Sequence, residues 1–347
     1  MSIIPASNRL QALDQLRALA VLFVLLSHFG IAINSNLIEI QNNSINLGTI
    51  GVFIFFCVSG YVIPWSMQSR DKSQPTTARS FWVRRILRLY PIYLAAGILG
   101  VFALGDRHAA EAVAKAFTDA PVAYLLSFLT MTTFWQDTPT IFQGLEWTLA
   151  YEMLFYVACS VYLAFQGKLS NTPSLIVLVL AICGLTLAPD LISTDNRIQK
   201  FFLMYAFFIV GLLTYLYKNG SISKNTFIAL SCCVVATIAV RNSLWYVYWG
   251  INYLTYAFIP ALFIFYAVSF ERIIIYSKTL TTIGIVSYSI YLTHIFIPHN
   301  IPLAGLPPLA RFFAWLTIAV LVAIPLYRYI ELPAINKSRT ILHRQLA

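Results

Sequence analysis

The sequence predicts an all-α, polytopic transmembrane helix bundle of about ten spans. Three observations carry that prediction. Of the 347 residues, 59% are hydrophobic and 10% are charged, and the mean hydropathy of +0.75 lies far from that of a water-soluble globular chain. Apolar runs of the length a helix needs to cross a bilayer, roughly 20 residues, recur from end to end. No segment is long and polar enough to stand as a soluble domain, and no repeat or linker divides the chain. Residues 1–347 therefore read as a single membrane-embedded domain with no fused soluble domain.

The apolar segments fall near 16–33, 46–65, 89–105, 121–135, 145–166, 173–189, 199–217, 226–240, 250–270, 280–298 and 310–330. The first, inside LDQLRALAVLFVLLSHFG, is not followed by a small-residue cleavage site and is taken as a retained span. Segment 121–135 is short and opens at Pro121, and is expected to be re-entrant, which is tolerated where its backbone is buried in protein or lines a wet cavity. With the other ten as spans and both termini cytoplasmic, 17 of the 23 Lys and Arg residues fall on the inner side. Among them are Arg70, Lys72, Arg79, Arg84, Arg85, Arg88, Lys218, Lys224, Lys337 and Arg344. Counting 121–135 as a crossing would put the basic C-terminal tail and the basic 66–88 loop on opposite faces. The net charge of +10 is thus accounted for by topology, without nucleic acid as a partner. The five cysteines show no C-x-x-C or Cys/His ligand spacing, so neither disulfides nor a metal is expected, and they read as buried small hydrophobes.

Ionisable residues inside such segments are costly in lipid and point to function unless a neighbouring helix satisfies them. Arg17 and His28, eleven residues apart, fall within about 20° of one another on a helix face. Arg17 sits near the cytoplasmic boundary and His28 nearer the outer end. In LEWTLAYEMLFY, Glu152 lies about two turns into a helix entering from outside. In SYSIYLTHIF, residues Ser287, Tyr291 and His294 share a face, with His294 near the outer end. His28, Glu152 and His294 are therefore expected to meet in the outer half of the bundle, as a structural hydrogen-bond network or as a reactive site. In FWVRRILRLYP, Arg84, Arg85 and Arg88 cluster on the cytoplasmic side of the third span, where they either set topology and touch lipid head groups or grip phosphates.

Together these stretches resemble the acyltransferase 3 family of membrane enzymes, over essentially the whole chain. The family's Arg-x10-His pattern matches Arg17 and His28, and its Arg-x-x-Arg pattern before a proline matches Arg85 and Arg88. Its Trp-Ser-Leu-x-x-Glu pattern matches Trp147, Thr148, Leu149 and Glu152, and its Tyr-Leu-x-His ending matches Tyr291, Leu292 and His294. Thr148 replaces the usual serine but keeps the hydroxyl, Met153 replaces a frequent second acid, and Glu146 has no place in the pattern.

The resemblance implies an O-acyltransferase that moves an acyl group, acetyl from acetyl-CoA, to a hydroxyl of a carbohydrate-type acceptor. Such acceptors include a surface polysaccharide or its lipid-linked saccharide precursor, and the location implied is a bacterial cytoplasmic (inner) membrane. In that reading His28, Glu152 and Arg17 are catalytic, Arg84, Arg85 and Arg88 hold the donor's phosphates, and Trp147, Tyr291 and His294 line the acceptor side. His28 serves either as general base or as a nucleophile carrying the acyl group, with Glu152 orienting its imidazole or helping to deprotonate the acceptor. The rival reading is a transporter or channel that uses the same His, Glu and Arg residues for ion or proton coupling. Such proteins often show inverted repeats, which this sequence lacks.

Overall fold

The apolar runs fold as helices, and among the described residues there is no strand. The computed structural model describes residues 8–34, 46–67, 76–103, 107–133, 140–164, 172–188, 196–249, 252–271 and 277–344. Arg70 and Lys72 of the basic 66–88 loop lie outside the described residues. In chain order the helices are α1 (Asn8–Ile33), α2 (Leu47–Met67), α3 (Ala78–Ile98), α4 (Arg107–Asp119), α5 (Pro121–Leu129), α6 (Glu146–Ala164), α7 (Thr172–Leu187) and α8 (Asn196–Lys218). They continue as α9 (Lys224–Trp249), α10 (Asn252–Ser269), α11 (Lys278–Ile285), α12 (Ser287–Thr293), α13 (Phe296–Asn300), α14 (Pro308–Leu326) and α15 (Leu332–Arg344). π-helical turns extend α3 over Leu99–Ala103 and join α14 to α15 over Tyr327–Glu331.

Six stretches among the described residues are long and apolar enough to cross a membrane: Gln11–Ile33, Leu47–Met67, Ala78–Phe102, Arg197–Lys218, Lys224–Arg241 and Pro308–Leu342. Pro173–Leu187 and Tyr256–Ser269 are shorter apolar helices. Within the segment read as re-entrant, α5 has nine residues, a length of roughly 13 Å against a hydrocarbon core of about 30 Å. Tyr90 on α3 donates to the carbonyl of Leu129 and so pins the end of α5.

Residues 280–298, expected as one helix, are instead broken into α11, α12 and α13. Proline explains the second break. Pro298 has no N–H to donate to the His294 carbonyl, and Ile297 N–H takes that carbonyl at 3.2 Å in a tighter turn. His294 therefore lies at the C-terminal end of α12, in the break. A cysteine expectation also needs correcting, since Cys57, Cys159 and Cys183 are buried but Cys232 is exposed.

The chain divides into two compact units. The first comprises Met1–Ser27, Ser35–Thr76 and Val161–Gly284. Its centre is the crossing of α2 and α8, where Phe53 and Phe207 stack with ring centroids 4.0 Å apart. A Cβ on Gly60 would strike the Phe208 carbonyl, and one on Gly211 the Cys57 carbonyl, so the two backbones meet through glycine from both sides. Small residues at such crossings permit the close van der Waals packing on which helix association in lipid depends.

The second unit comprises His28–Asn34, Thr77–Ser160 and Ile285–Ala347. Here α3 packs against α12, α15 and the π-helical turn Tyr327–Glu331. Thr77 caps α3, with Ser80 N–H donating to Thr77 Oγ1 at 3.2 Å and Thr77 N–H to Ser80 Oγ at 3.1 Å, a reciprocal capping box. Glu146 opens α6. Its Oε1 accepts the Phe142 N–H at 2.9 Å and stabilises a tight turn whose Gln143 and Gly144 have φ of 50° and 90°. This gives the residue outside the family pattern a structural role.

Candidate active site

His28 is placed by the apolar residue beside it. Phe29 is fully buried and packs on Trp315 and Phe312 of α14 with ring centroids 5.7 and 6.3 Å apart. Trp315 is in turn fixed by its Nε1–H donating to the Ile301 carbonyl at 2.7 Å. This packing fixes the last turns of α1 and brings the half-buried His28 imidazole to the fully buried His294. His28 Nδ1 and His294 Nε2 are 2.8 Å apart, and His294 Nδ1 lies 2.7 Å from the carbonyl oxygen of Tyr291.

One turn back on α12, the Tyr291 hydroxyl meets Thr148 Oγ1 at 2.8 Å. Thr148 donates its own proton to the Leu145 carbonyl at 3.0 Å, so the tyrosine is the donor between them. The hydroxyl kept by the threonine-for-serine replacement is therefore in use. Trp147, next along α6, packs edge-on against Tyr151 at 5.7 Å.

Glu152 takes a different partner from the one the sequence led us to expect. Among the described residues no hydrogen bond joins it to His28; its Oε1 accepts from the Tyr156 hydroxyl one turn further along α6. Tyr156 also forms one wall around Arg85, which is 5% exposed. The Arg85 guanidinium lies 5.4 Å from the Phe81 ring centroid and 5.2 Å from that of Tyr156. Arg88, a turn later, lies in the field of Glu152 and Glu331. Arg84 Nη2 is buried and has no hydrogen-bond partner among the described residues.

Glu331 is a further buried acid near Arg88 that the sequence motifs do not single out. It ends the π-helical turn that follows Pro325, is 2% exposed, and accepts from Ser289 Oγ at 2.9 Å. π-turns frequently mark functional positions because they rotate the following residues to another face. A signal was present, since Glu331 is the only acidic residue after Glu271. It stood one residue past the last assigned apolar segment. Tyr288 lies in the field of both Glu152 and Glu331, and its hydroxyl has no partner among the described residues.

Arg17 belongs to the first unit, eleven residues before His28 on α1, and its Nη1 lies 4.0 Å from Asp14 Oδ1.

Two polar clusters thus occupy the second unit. One is a pair of imidazoles anchored on a main-chain carbonyl, which can hold or pass a proton. The other sets Arg85 and Arg88 in the field of Glu152 and Tyr156, with Glu331 and Tyr288 also near Arg88 and with Arg84 beside them on α3. Along α12 the Tyr291 hydroxyl, bonded to Thr148 of α6, lies in sequence between Tyr288 of the arginine cluster and His294 of the imidazole pair.

A family model described as an acyltransferase domain matches residues 10–328. The chain is 35% identical over 118 residues to "Acyltransferase MdmB" of Streptomyces mycarofaciens, covering 32% of this chain and 27% of that protein. It is 28% identical over 184 residues to "Regulator of hypoxia-inducible factor 1" of Caenorhabditis elegans, covering 47% of this chain and 36% of that protein. It is 27% identical over 187 residues to "Peptidoglycan O-acetyltransferase OatA" of Listeria monocytogenes, covering 50% of this chain and 27% of that protein. The aligned regions therefore span between about a quarter and just over a third of these curated relatives. No solved structure matches.

Proposed function

The chain belongs to the acyltransferase 3 family, and from that premise we propose that it is a membrane O-acyltransferase moving an acetyl group from acetyl-CoA to a hydroxyl of a carbohydrate-type acceptor. The observation that carries this reading is the presence, in one compact unit, of the His28–His294 pair and an arginine cluster. Reaction and donor binding need these two chemistries, respectively.

The donor's charged nucleotide end is excluded from hydrocarbon, whereas guanidinium groups suit phosphate oxygens. The buried Arg84 Nη2, without a partner among the described residues, is the atom best suited to an anion. Arg84 and Arg88 stand four residues apart and share a face of α3, while Arg85 is set between Phe81 and Tyr156 and shapes the cluster from within. Glu152 and Glu331 offset the concentrated positive charge. The thioester, carried on a thin uncharged arm, then reaches His28, which accepts the acceptor hydroxyl's proton or takes the acyl group itself. Tyr291, Trp147 and Thr148 line the acceptor side.

In the membrane the proposal has ten crossings, both termini cytoplasmic and α5 re-entrant, supported by the 17-to-6 division of basic residues and the nine-residue length of α5. A bacterial cytoplasmic membrane and a polysaccharide or lipid-linked saccharide acceptor follow the family resemblance. The relative named a peptidoglycan O-acetyltransferase supports a surface carbohydrate as acceptor.

Purified protein in proteoliposomes, given acetyl-CoA labelled in the acetyl group, tests the reading. Label is expected to leave the thioester and appear on an acceptor oligosaccharide, and label on the protein when acceptor is withheld would mark the covalent route through His28. A protein that moves ions or protons but leaves the thioester intact would overturn it.

A further inference from the structure

The hydrogen bonds around His294 fix where the protons of both imidazoles lie. A carbonyl oxygen only accepts, so the nitrogen facing Tyr291 C=O at 2.7 Å, Nδ1 of His294, carries a proton. A neutral imidazole then keeps its lone pair on Nε2, the atom that faces His28 Nδ1 at 2.8 Å. His28 Nδ1 must donate in return, leaving the lone pair of neutral His28 on Nε2. Ring orientation agrees. The planes differ by 13° and the centroids are 5.1 Å apart, which with a 2.8 Å nitrogen separation puts the rings edge to edge, the in-plane geometry a lone pair requires. The opposite arrangement needs His294 doubly protonated. His294 is 0% exposed, and among the described residues no carboxylate touches it to compensate for that charge.

We propose that His294 is a positioning residue: it locks His28 in the Nδ1–H tautomer and thereby makes Nε2 of His28 the reacting atom. The inference rests on the preceding reading that His28 reacts. As the acceptor's O–H bond breaks, its proton passes to Nε2. The O–C bond to the acyl carbon forms, the C–S bond breaks, and the thiolate takes the proton back from Nε2, so hydroxyl and thioester become ester and thiol. The transient His28 imidazolium keeps its Nδ1–H bonded to His294 Nε2. If Nε2 instead carries the acyl group covalently, the same tautomer is required. The orienting group is thus a second imidazole anchored on the main chain. Glu152, with its Tyr156 bond, is left to the arginine cluster.

The test compares His294→Leu, His294→Gln and His28→Ala in the acetyl-transfer assay, with insertion and thermal stability measured for each. It adds selectively 15N-histidine-labelled protein to read the tautomers. His294→Leu is expected to lower kcat by about 10²- to 10⁴-fold, the usual range for a misplaced or wrongly protonated catalytic imidazole, with both KM values little changed. Glutamine, whose Oε1 accepts from Nδ1–H, is expected to restore part of kcat. Adding His294→Leu to His28→Ala is expected to cost nothing further, because the two act as one unit. The His28 signal is expected to show a protonated Nδ1 in wild type and to shift toward the Nε2–H form in His294→Leu. Wild-type kcat in a folded His294→Leu protein, no advantage of glutamine over leucine, or an unprotonated His28 Nδ1 in wild type would each overturn the proposal. An active His28→Ala protein would overturn the functional reading instead, and the tautomer measurement, which needs no turnover, separates the two failures.

Discussion

His28 and His294, 266 positions apart in sequence, meet nitrogen to nitrogen at 2.8 Å. One imidazole is set by packing of the adjacent Phe29 on Trp315, and the other by a proline-induced break after α12.

The arginine cluster should separate into residues that bind the donor and one that also holds the fold. Arg84→Ala and Arg88→Ala are expected to raise the apparent KM for acetyl-CoA, leave the acceptor KM nearly unchanged, and weaken the salt dependence of donor binding. Arg85→Ala is expected to lower thermal stability as well. It removes a buried cation from two aromatic faces, contacts worth up to about 2 kcal/mol each when desolvated. Steady-state kinetics and detergent melting curves of the three variants check this. Normal donor KM in all three, with altered insertion, would leave the cluster as a topology anchor.

At the α2–α8 crossing, Gly211→Val is expected to destabilise the first unit by about 1–3 kcal/mol or more, because the new side chain meets the Cys57 carbonyl rather than a flexible group. Gly184→Val, at a position with no atom within 4 Å of the added Cβ, is the control and should be nearly neutral. Melting temperatures in detergent decide between them.

Topology makes a separate prediction. In a cysteine-free background, cysteine at Thr140 should react with impermeant reagent from outside, and cysteine at Ser221 only from inside. Labelling of position 140 only from the cytoplasm would make 121–135 a full crossing.

Much of the fold was legible because lipid imposes a simple rule: backbone groups must bond within the segment, so long apolar runs are helices. Hence α1, α2 and α8 lie where the hydropathy placed them. The break at His294 was less legible, because an apolar run containing one proline gives no measure of how far a helix is interrupted. Candidate site residues can be picked from the sequence one at a time, but their partners cannot. Helical periodicity puts Ser287, Tyr291 and His294 on one face, yet cannot say which residue of another helix faces His294. Glu152 was chosen as the partner of His28 because it was the acid at similar depth, but its own helix supplies Tyr156. Glu331 was overlooked because the π-helical turn that aims it inward has no hydropathy signature.

The most direct measurement is acetyl transfer by His28→Ala protein that inserts and melts like wild type. Transfer to acceptor is expected to fall by about 10²- to 10⁴-fold as the proton-accepting group is lost, while binding of acetyl-CoA, held by the arginine cluster, persists. A well-inserted His28→Ala protein that forms product at close to the wild-type rate would contradict the account.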